Sequence, residues 1–157
     1  MKPNIGLTEK NSHKSILILT QLLADEMVLY TKYRKCHWNV YGESFMELHR
    51  LFQEHYTALE TTIDDIAERI NKLGGKSIGT MQEFLKIARL TESPKLYGTQ
   101  KDMLKLLLTD NETLTQLIRS TILASDKEPN DLGTTDYLTK LLQDHEQYAW
   151  VLRRYLS

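Results

Sequence analysis

The segment from residue 45 to residue 73 constrains the fold most, because its apolar residues recur at alternating steps of three and four. That spacing places them on one face of an α-helix. Two consecutive glycines, Gly74 and Gly75, favour a helix end there. Ser44 is a candidate N-cap, and Glu47 stands three residues later, where a capping box needs it. The apolar positions are Phe45, Leu48, Phe52, Tyr56, Leu59, Ile63, Ile66, Ile70 and Leu73.

Three further segments have the same helical period, and no segment alternates as a strand would. They run from about 12 to 40, from about 99 to 125 and from about 134 to 156. The connection over residues 74–98 contains one short helical piece, "MQEFLKIARL". Four helices with apolar stripes and one long crossover predict an all-α, ferritin-like four-helix bundle, with a short helix in the crossover. We expect one domain spanning residues 1–157.

Charge and composition exclude several classes of protein. Twenty Lys and Arg residues face 21 Asp and Glu residues, for a net charge of −1, so no strong basic field is present for nucleic acid or an anionic membrane. No apolar run approaches the ~20 residues of a membrane span, and the N-terminus does not have the pattern of a signal peptide. The single cysteine, Cys36, fits a reducing compartment. We therefore expect a cytoplasmic protein with no membrane partner.

Four candidate metal ligands are too far apart along the sequence for one chain to bring them all to one metal ion. His37 ends the first helix, and His49, Asp64 and Glu68 lie on the second. Fifteen residues separate His49 from Asp64, about 22 Å at ~1.5 Å per residue. Metal ligands must come within ~2.0–2.3 Å of the ion.

A second copy of the chain removes this difficulty. Two copies of the second helix, packed antiparallel about a two-fold axis near residues 56–57, would bring His49 of one subunit opposite Asp64 and Glu68 of the other. His37 would join from the same subunit as His49. The sequence therefore predicts two equivalent sites per dimer.

Plainer interpretations stay open for each of these residues. His49 could be a solvated helix histidine, and the carboxylates could form an ordinary charged face. His145 continues a core stripe and His55 has no partnered carboxylate, so neither is assigned to a metal. A di-iron site inside the bundle would need Glu-x-x-His motifs. No histidine in the chain has a glutamate three residues before it.

Three motifs resemble the Dps family, the DNA-binding proteins from starved cells or mini-ferritins. They are "HWNVYG" from His37, "LH" ending at His49 and "DDIAER" from Asp64; the closing "HEQYAWVLRRYL" is also similar. The resemblance implies a hollow dodecamer that oxidises Fe(II), preferentially with hydrogen peroxide, between two-fold-related subunits and stores the ferric mineral. Such a ferroxidase would protect cells against oxidative stress. The resemblance places the family's histidines on His37 and His49, and its partner carboxylates on Asp64 and Glu68.

One position departs from the family pattern, and it leaves two questions open. Gln53 stands where the family usually has an aspartate, and an amide is a poorer ligand for a hard cation than a carboxylate. Each site could hold one iron ion or two, and the alternative function is a metal-sequestering cage with impaired oxidation. The other alternative, a nucleoid protein that condenses DNA, is disfavoured because only Lys2 and Lys10 precede the first predicted helix. We expect weak or no DNA binding.

Overall fold

The computed structural model describes residues 3–95, 98–125 and 130–157, and these residues form helices and connecting turns only. In chain order the helices are α1 (Glu9–Asn39), α2 (Phe45–Lys72), α3 (Met81–Ile87), α4 (Gln100–Ser125) and α5 (Leu132–Leu156). Helix α1 packs along α2, α4 packs along α5, and α3 lies on α1. The prediction of a four-helix bundle with a short helix in its crossover is confirmed.

The apolar stripes meet in one core. Fully buried residues come from all four long helices, and burying each large side chain contributes roughly 1.5–3 kcal/mol. Phe45 and Tyr155 lie at the ends of their stripes and remain partly exposed. The fully buried set includes Leu19, Leu29, Phe52, Leu59, Ile66, Leu107, Leu114 and Leu152.

The prediction of a capping box at the start of α2 is wrong. Ser44 occupies the N-cap position but its side chain makes no cap hydrogen bond. Its backbone, with φ −92° and ψ 29°, belongs to a turn in which Phe45 N–H donates to the Gly42 carbonyl, whereas a capping residue adopts the β-region. A capping box forms instead between Thr80 and Glu83, at the start of α3.

Buried charges attach the crossover to α1. The Asp25 carboxylate accepts hydrogen bonds from the backbone N–H groups of Arg89 and Leu90, at 2.5 and 3.2 Å, and pairs with the Arg89 guanidinium at 2.7 Å. About two turns later on α1, Lys32 donates to the Thr91 carbonyl at 2.9 Å. Part of the crossover, at residues 96–97, lies outside the described residues, as does the turn predicted around Pro129.

The link between α1 and α2 is short. Gly42 takes a φ of +109°, a conformation that side chains rarely adopt, and an added Cβ would meet Gln100 at 3.2 Å. This turn sets the last turn of α1 against the first two turns of α2.

Within the described residues, none of the helices combines the length and apolar character that crossing a bilayer requires.

Candidate metal centre

His37 and His49 form a reciprocal pair beside the α1–α2 turn. Their rings stack with centroids 3.7 Å apart and planes inclined by 21°. His37 Nδ1 lies 2.7 Å from the His49 carbonyl, and His49 Nδ1 lies 2.9 Å from the His37 carbonyl. A carbonyl only accepts, so each Nδ1 donates its hydrogen, and this tautomer leaves Nε2 as the nitrogen of a neutral ring that can bind a metal. A backbone carbonyl on one ring nitrogen is the usual way a metal-binding histidine is oriented.

The surroundings of the pair also suit a cation. His37 is buried in the last turn of α1, where unpaired carbonyls give the helix end a partial negative charge. The Tyr56 ring stands edge-on to His37 at 5.2 Å, and Phe45 lies 5.1 Å from His49. Trp38, by contrast, is 66% exposed and points away from the core.

Asp64 and Glu68 lie on the exposed face of α2, towards its other end. Fifteen residues of continuous helix put Asp64 about 22 Å from His49 along the axis. Glu68 forms an exposed ion pair with Lys72 at 2.9 Å. Across the described ranges, no three or more His, Cys, Asp or Glu side chains gather closely enough to hold a metal ion. The structure brings His37 and His49 together and leaves the two carboxylates apart from them.

Gln53 projects from the same exposed face of α2. It lines an open groove with Arg50, Glu54 and Thr57, between the histidine end and the carboxylate end of the helix. A second groove, lined by Ile63, continues along the helix beside Asp64. The exposed face of α2, over the region where a partner helix was expected, is therefore open and lined by residues of α2 alone.

The sequence did not reveal a chain of buried polar side chains at the centre of the bundle. Glu26 Oε1 lies 2.8 Å from His145 Nε2, and His145 Nδ1 lies 3.1 Å from Asn111 Oδ1. Asn111 Nδ2 donates to Tyr33 Oη at 2.8 Å, and Tyr33 Oη lies 3.1 Å from His55 Nδ1. All five residues are at most 6% exposed. The predicted core position of His145 is confirmed. In the sequence, only the place of His145 in the apolar stripe indicated that a polar side chain lies in the core.

Burial shifts the pKa values of two side chains in this network, Tyr33 and His55. Burial raises the pKa of Tyr33 well above its ordinary value. Burial, and secondarily the nearby His145, lowers the pKa of His55 to about 4. His55 is therefore a neutral imidazole near neutral pH, and Tyr33 is a neutral phenol.

Comparison with known proteins agrees with this architecture. The ferritin-like domain family matches residues 16–157. An uncharacterized low temperature-induced protein of Nostoc sp. is 42% identical, over 98% of this chain and 86% of its own length. DNA protection during starvation protein 2 of Bacillus anthracis is 38% identical, over 90% of this chain and 96% of its own.

A solved structure shares the fold closely. The DPS protein of Vibrio cholerae O1, described as a member of a superfamily of ferritin-like diiron-carboxylate proteins, superposes with a TM-score of 0.91 at 30% identity. The match covers 99% of this chain and 97% of that protein. Helix order, the long crossover and the sequence relatives lead to one conclusion: the chain belongs to the Dps family of ferritin-like proteins.

Proposed function

We propose that this chain is a ferroxidase that stores iron: it oxidises Fe(II), preferentially with hydrogen peroxide, and retains the ferric product inside a hollow dodecamer. Membership of the family supports iron storage and protection in general. The peroxide preference, the dodecamer and the cytoplasmic location rest on the resemblance between the motifs. The activity would protect the cell against oxidative stress.

The reciprocal histidine pair is the observation that supports this function most directly. Each ring is held by a backbone carbonyl at Nδ1, which leaves Nε2 as the nitrogen through which a neutral imidazole binds a divalent metal. Imidazole ligands alone favour no particular metal, but added carboxylates favour a hard ferric product. The site thus requires Asp64 and Glu68, which this chain cannot supply to its own histidines.

A two-fold-related copy of the chain supplies the missing carboxylates. Antiparallel packing of α2 against its symmetry mate would place Asp64 and Glu68 of each subunit beside His37 and His49 of the other. The exposed carboxylates and the open face of α2 around them support this arrangement. Iron is the substrate of such a site. Gln53 weakens only the second iron position, so the first iron position keeps its full ligand set.

Anaerobic titration with ferrous iron, followed by hydrogen peroxide, tests the proposal. The assembled protein should bind iron and form ferric product faster than buffer does. His37→Ala should lose most of the activity, whereas His13→Ala, which changes an exposed histidine on α1, serves as the matched control and should not. Binding without oxidation would favour the metal-sequestering cage. No binding would overturn both functions.

A further inference from the structure

Arg34 is a cation of α1 that three aromatic rings hold in place. Its guanidinium carbon lies 4.6 Å from the centroid of the Tyr56 ring, 5.1 Å from that of Tyr30 and 5.9 Å from that of Trp38. Its Nε atom is buried and, among the described residues, has no hydrogen-bond acceptor. The side chain as a whole is only half-buried, so the guanidinium can still be reached from outside the chain. A fixed guanidinium without a counterion favours an anionic partner.

The position of Arg34 along the bundle follows from two contacts between α1 and α2. The Tyr30 ring meets the Tyr56 ring edge-on at 6.2 Å, and the histidine pair stacks nearer the α1–α2 turn. Arg34 lies between these two contacts on α1. Because the two helices run antiparallel, Arg34 lies level with residues 52–53 of α2, beside the face that the proposed two-fold axis crosses.

The proposed two-fold arrangement puts a carboxylate opposite this level. An axis near residues 56–57 relates position 53 of one copy to position 60 of the other. Glu60 is exposed, and no cation of its own chain pairs with it as far as the chain is described. It follows His49 by eleven residues, about 20° beyond three full turns, so it lies on the same face of α2 as His49. Glu60 therefore points towards the other copy.

Gln53 fits the same arrangement. It lies level with Arg34 and opposite Glu60 of the partner subunit. In the absence of a metal ion, an aspartate at position 53 would face that glutamate with like charge, whereas an amide can donate a hydrogen bond to it. A neutral residue at position 53 is thus compatible with a glutamate at position 60.

We propose that Arg34 forms an ion pair with Glu60 of the partner subunit, with Gln53 as a second donor to that carboxylate. This inference rests on the two-fold arrangement of the proposed function and identifies the contacts that set its register. Asp64 and Glu68 follow Glu60 on α2 by about one turn and about two turns. Holding Glu60 against Arg34 therefore brings these carboxylates to the histidine pair of the other copy. Arg34 is a positioning residue, and symmetry gives two such ion pairs per dimer.

Charge reversal in the iron-free, assembled protein tests this inference. Arg34→Glu and Glu60→Arg each place like charges across the axis and should weaken subunit association roughly tenfold or more at low salt. The double variant reverses both charges and should restore association to near the wild-type level. Sedimentation across a urea series measures dissociation, because uncharged urea leaves ion pairs unscreened. At about 1 M salt the defects of the single variants should shrink.

Two further variants keep the test specific. Glu54→Arg makes the same charge change on α2, but about 100° around the helix from Gln53, so it should not restore association in Arg34→Glu. Circular dichroism establishes that each variant is folded, and Glu60→Arg changes only an exposed side chain. If Arg34→Glu does not fold, Arg34→Gln takes its place: removing the cation should relieve the repulsion that Glu60→Arg creates.

These measurements separate the inference from the proposed function, since none of them requires iron. Single reversals that leave association unchanged would overturn the inference, and so would restoration by Glu54→Arg equal to that by Glu60→Arg. The ferroxidase stands in either case if iron is still oxidised. Restoration by Glu60→Arg alone, in a protein that oxidises no iron, would support the ion pair and overturn the ferroxidase.

Discussion

His37 and His49 each donate a hydrogen bond from Nδ1 to the backbone carbonyl of the other, at 2.7 and 2.9 Å. Each backbone carbonyl therefore orients the ring of the other residue, and the ring centroids lie 3.7 Å apart in a stack. Replacing either side chain removes one imidazole and the ring stacking, while the remaining ring keeps its hydrogen bond to the unchanged backbone carbonyl. Both histidines of the candidate ligand set thus depend on contacts between the end of α1 and the start of α2.

Mixing two inactive variants tests whether the site is shared between subunits. His49→Ala and Asp64→Ala should each lose most ferroxidase activity. In a mixed dimer both lesions fall in one pocket and the other pocket is intact, so random equal mixing should restore up to about a quarter of wild-type activity. The subunits must be dissociated before mixing and reassembled together. Activity no greater than the average of the two separate variants would show that the ligands act within one chain.

Gln53→Asp should strengthen the second iron position, because a carboxylate is a better ligand for a hard cation than an amide. Isothermal titration under anaerobic conditions should show additional ferrous binding per subunit, and peroxide should then oxidise iron faster. Glu54→Asp is the control, since it keeps a carboxylate that points about 100° away on the helix. An unchanged iron stoichiometry in Gln53→Asp would contradict the assignment of this position.

Asp25→Asn should destabilise the fold by about 3 kcal/mol, because it leaves the Arg89 guanidinium without its buried counterion. Glu146→Gln breaks the ion pair with Arg119 and is the control: both side chains are about half exposed, so the loss should stay below about 1 kcal/mol. Denaturant unfolding at fixed protein concentration measures both changes, since assembly also contributes to stability. Equal losses in the two variants would contradict the anchoring role of Asp25.

Stability should fall as the pH drops from about 6.5 to about 4, because the unfolded chain protonates His55 before the folded chain does. The folded pKa of about 4 lies below the ordinary 6.5, so the loss reaches up to about 3 kcal/mol at the acid end of that window. Tyr33 faces His55 from α1, and Tyr148 and His145 face it from α5. Unfolding free energies of wild type and His55→Gln should converge as the pH falls, whereas His13→Gln should follow the wild type throughout.

DNA binding should be weak or absent at about 150 mM salt, because a chain with a net charge of −1 displaces few counterions from a duplex. A plasmid gel shift with the assembled protein measures this directly. Retarded plasmid at that salt concentration would contradict the prediction and revive the nucleoid function. Titrating the salt would then give the number of phosphate contacts from the slope.

The sequence predicted the helices well because their apolar stripes are long and regular. Leu48, Phe52 and Leu59 recur at helical steps and are all buried. The failure at Ser44 has a different origin: the tight turn at Gly42, a tertiary requirement, overrode a good capping pattern. Spacing alone could not have revealed that His37 and His49 exchange backbone hydrogen bonds, because stacking depends on how two helices meet.

The buried network escaped prediction for a related reason. Glu26, Asn111 and His145 come from three helices, and no spacing within one helix marks them as partners. His55 was set aside because it lacks a carboxylate, yet its partner is a phenol on α1. The sequence correctly placed Asp64, Glu68 and Gln53 on a helix, α2. The roles of Asp64 and Glu68 as metal ligands, and of Gln53 as a weakened iron position, stay predictions.

The short α1–α2 turn affects the order in which contacts form during folding. His37 and His49 are separated by 12 residues, so their contact forms by a local closure, whereas Asp25 must wait for Arg89, 64 residues further along the chain. The histidine pair can thus form early in folding, whereas the proposed carboxylate ligands would arrive only with a second folded subunit. A newly synthesised, unassembled chain then offers iron two imidazoles and no carboxylate. If the proposed function holds, iron oxidation would begin only when the subunits assemble.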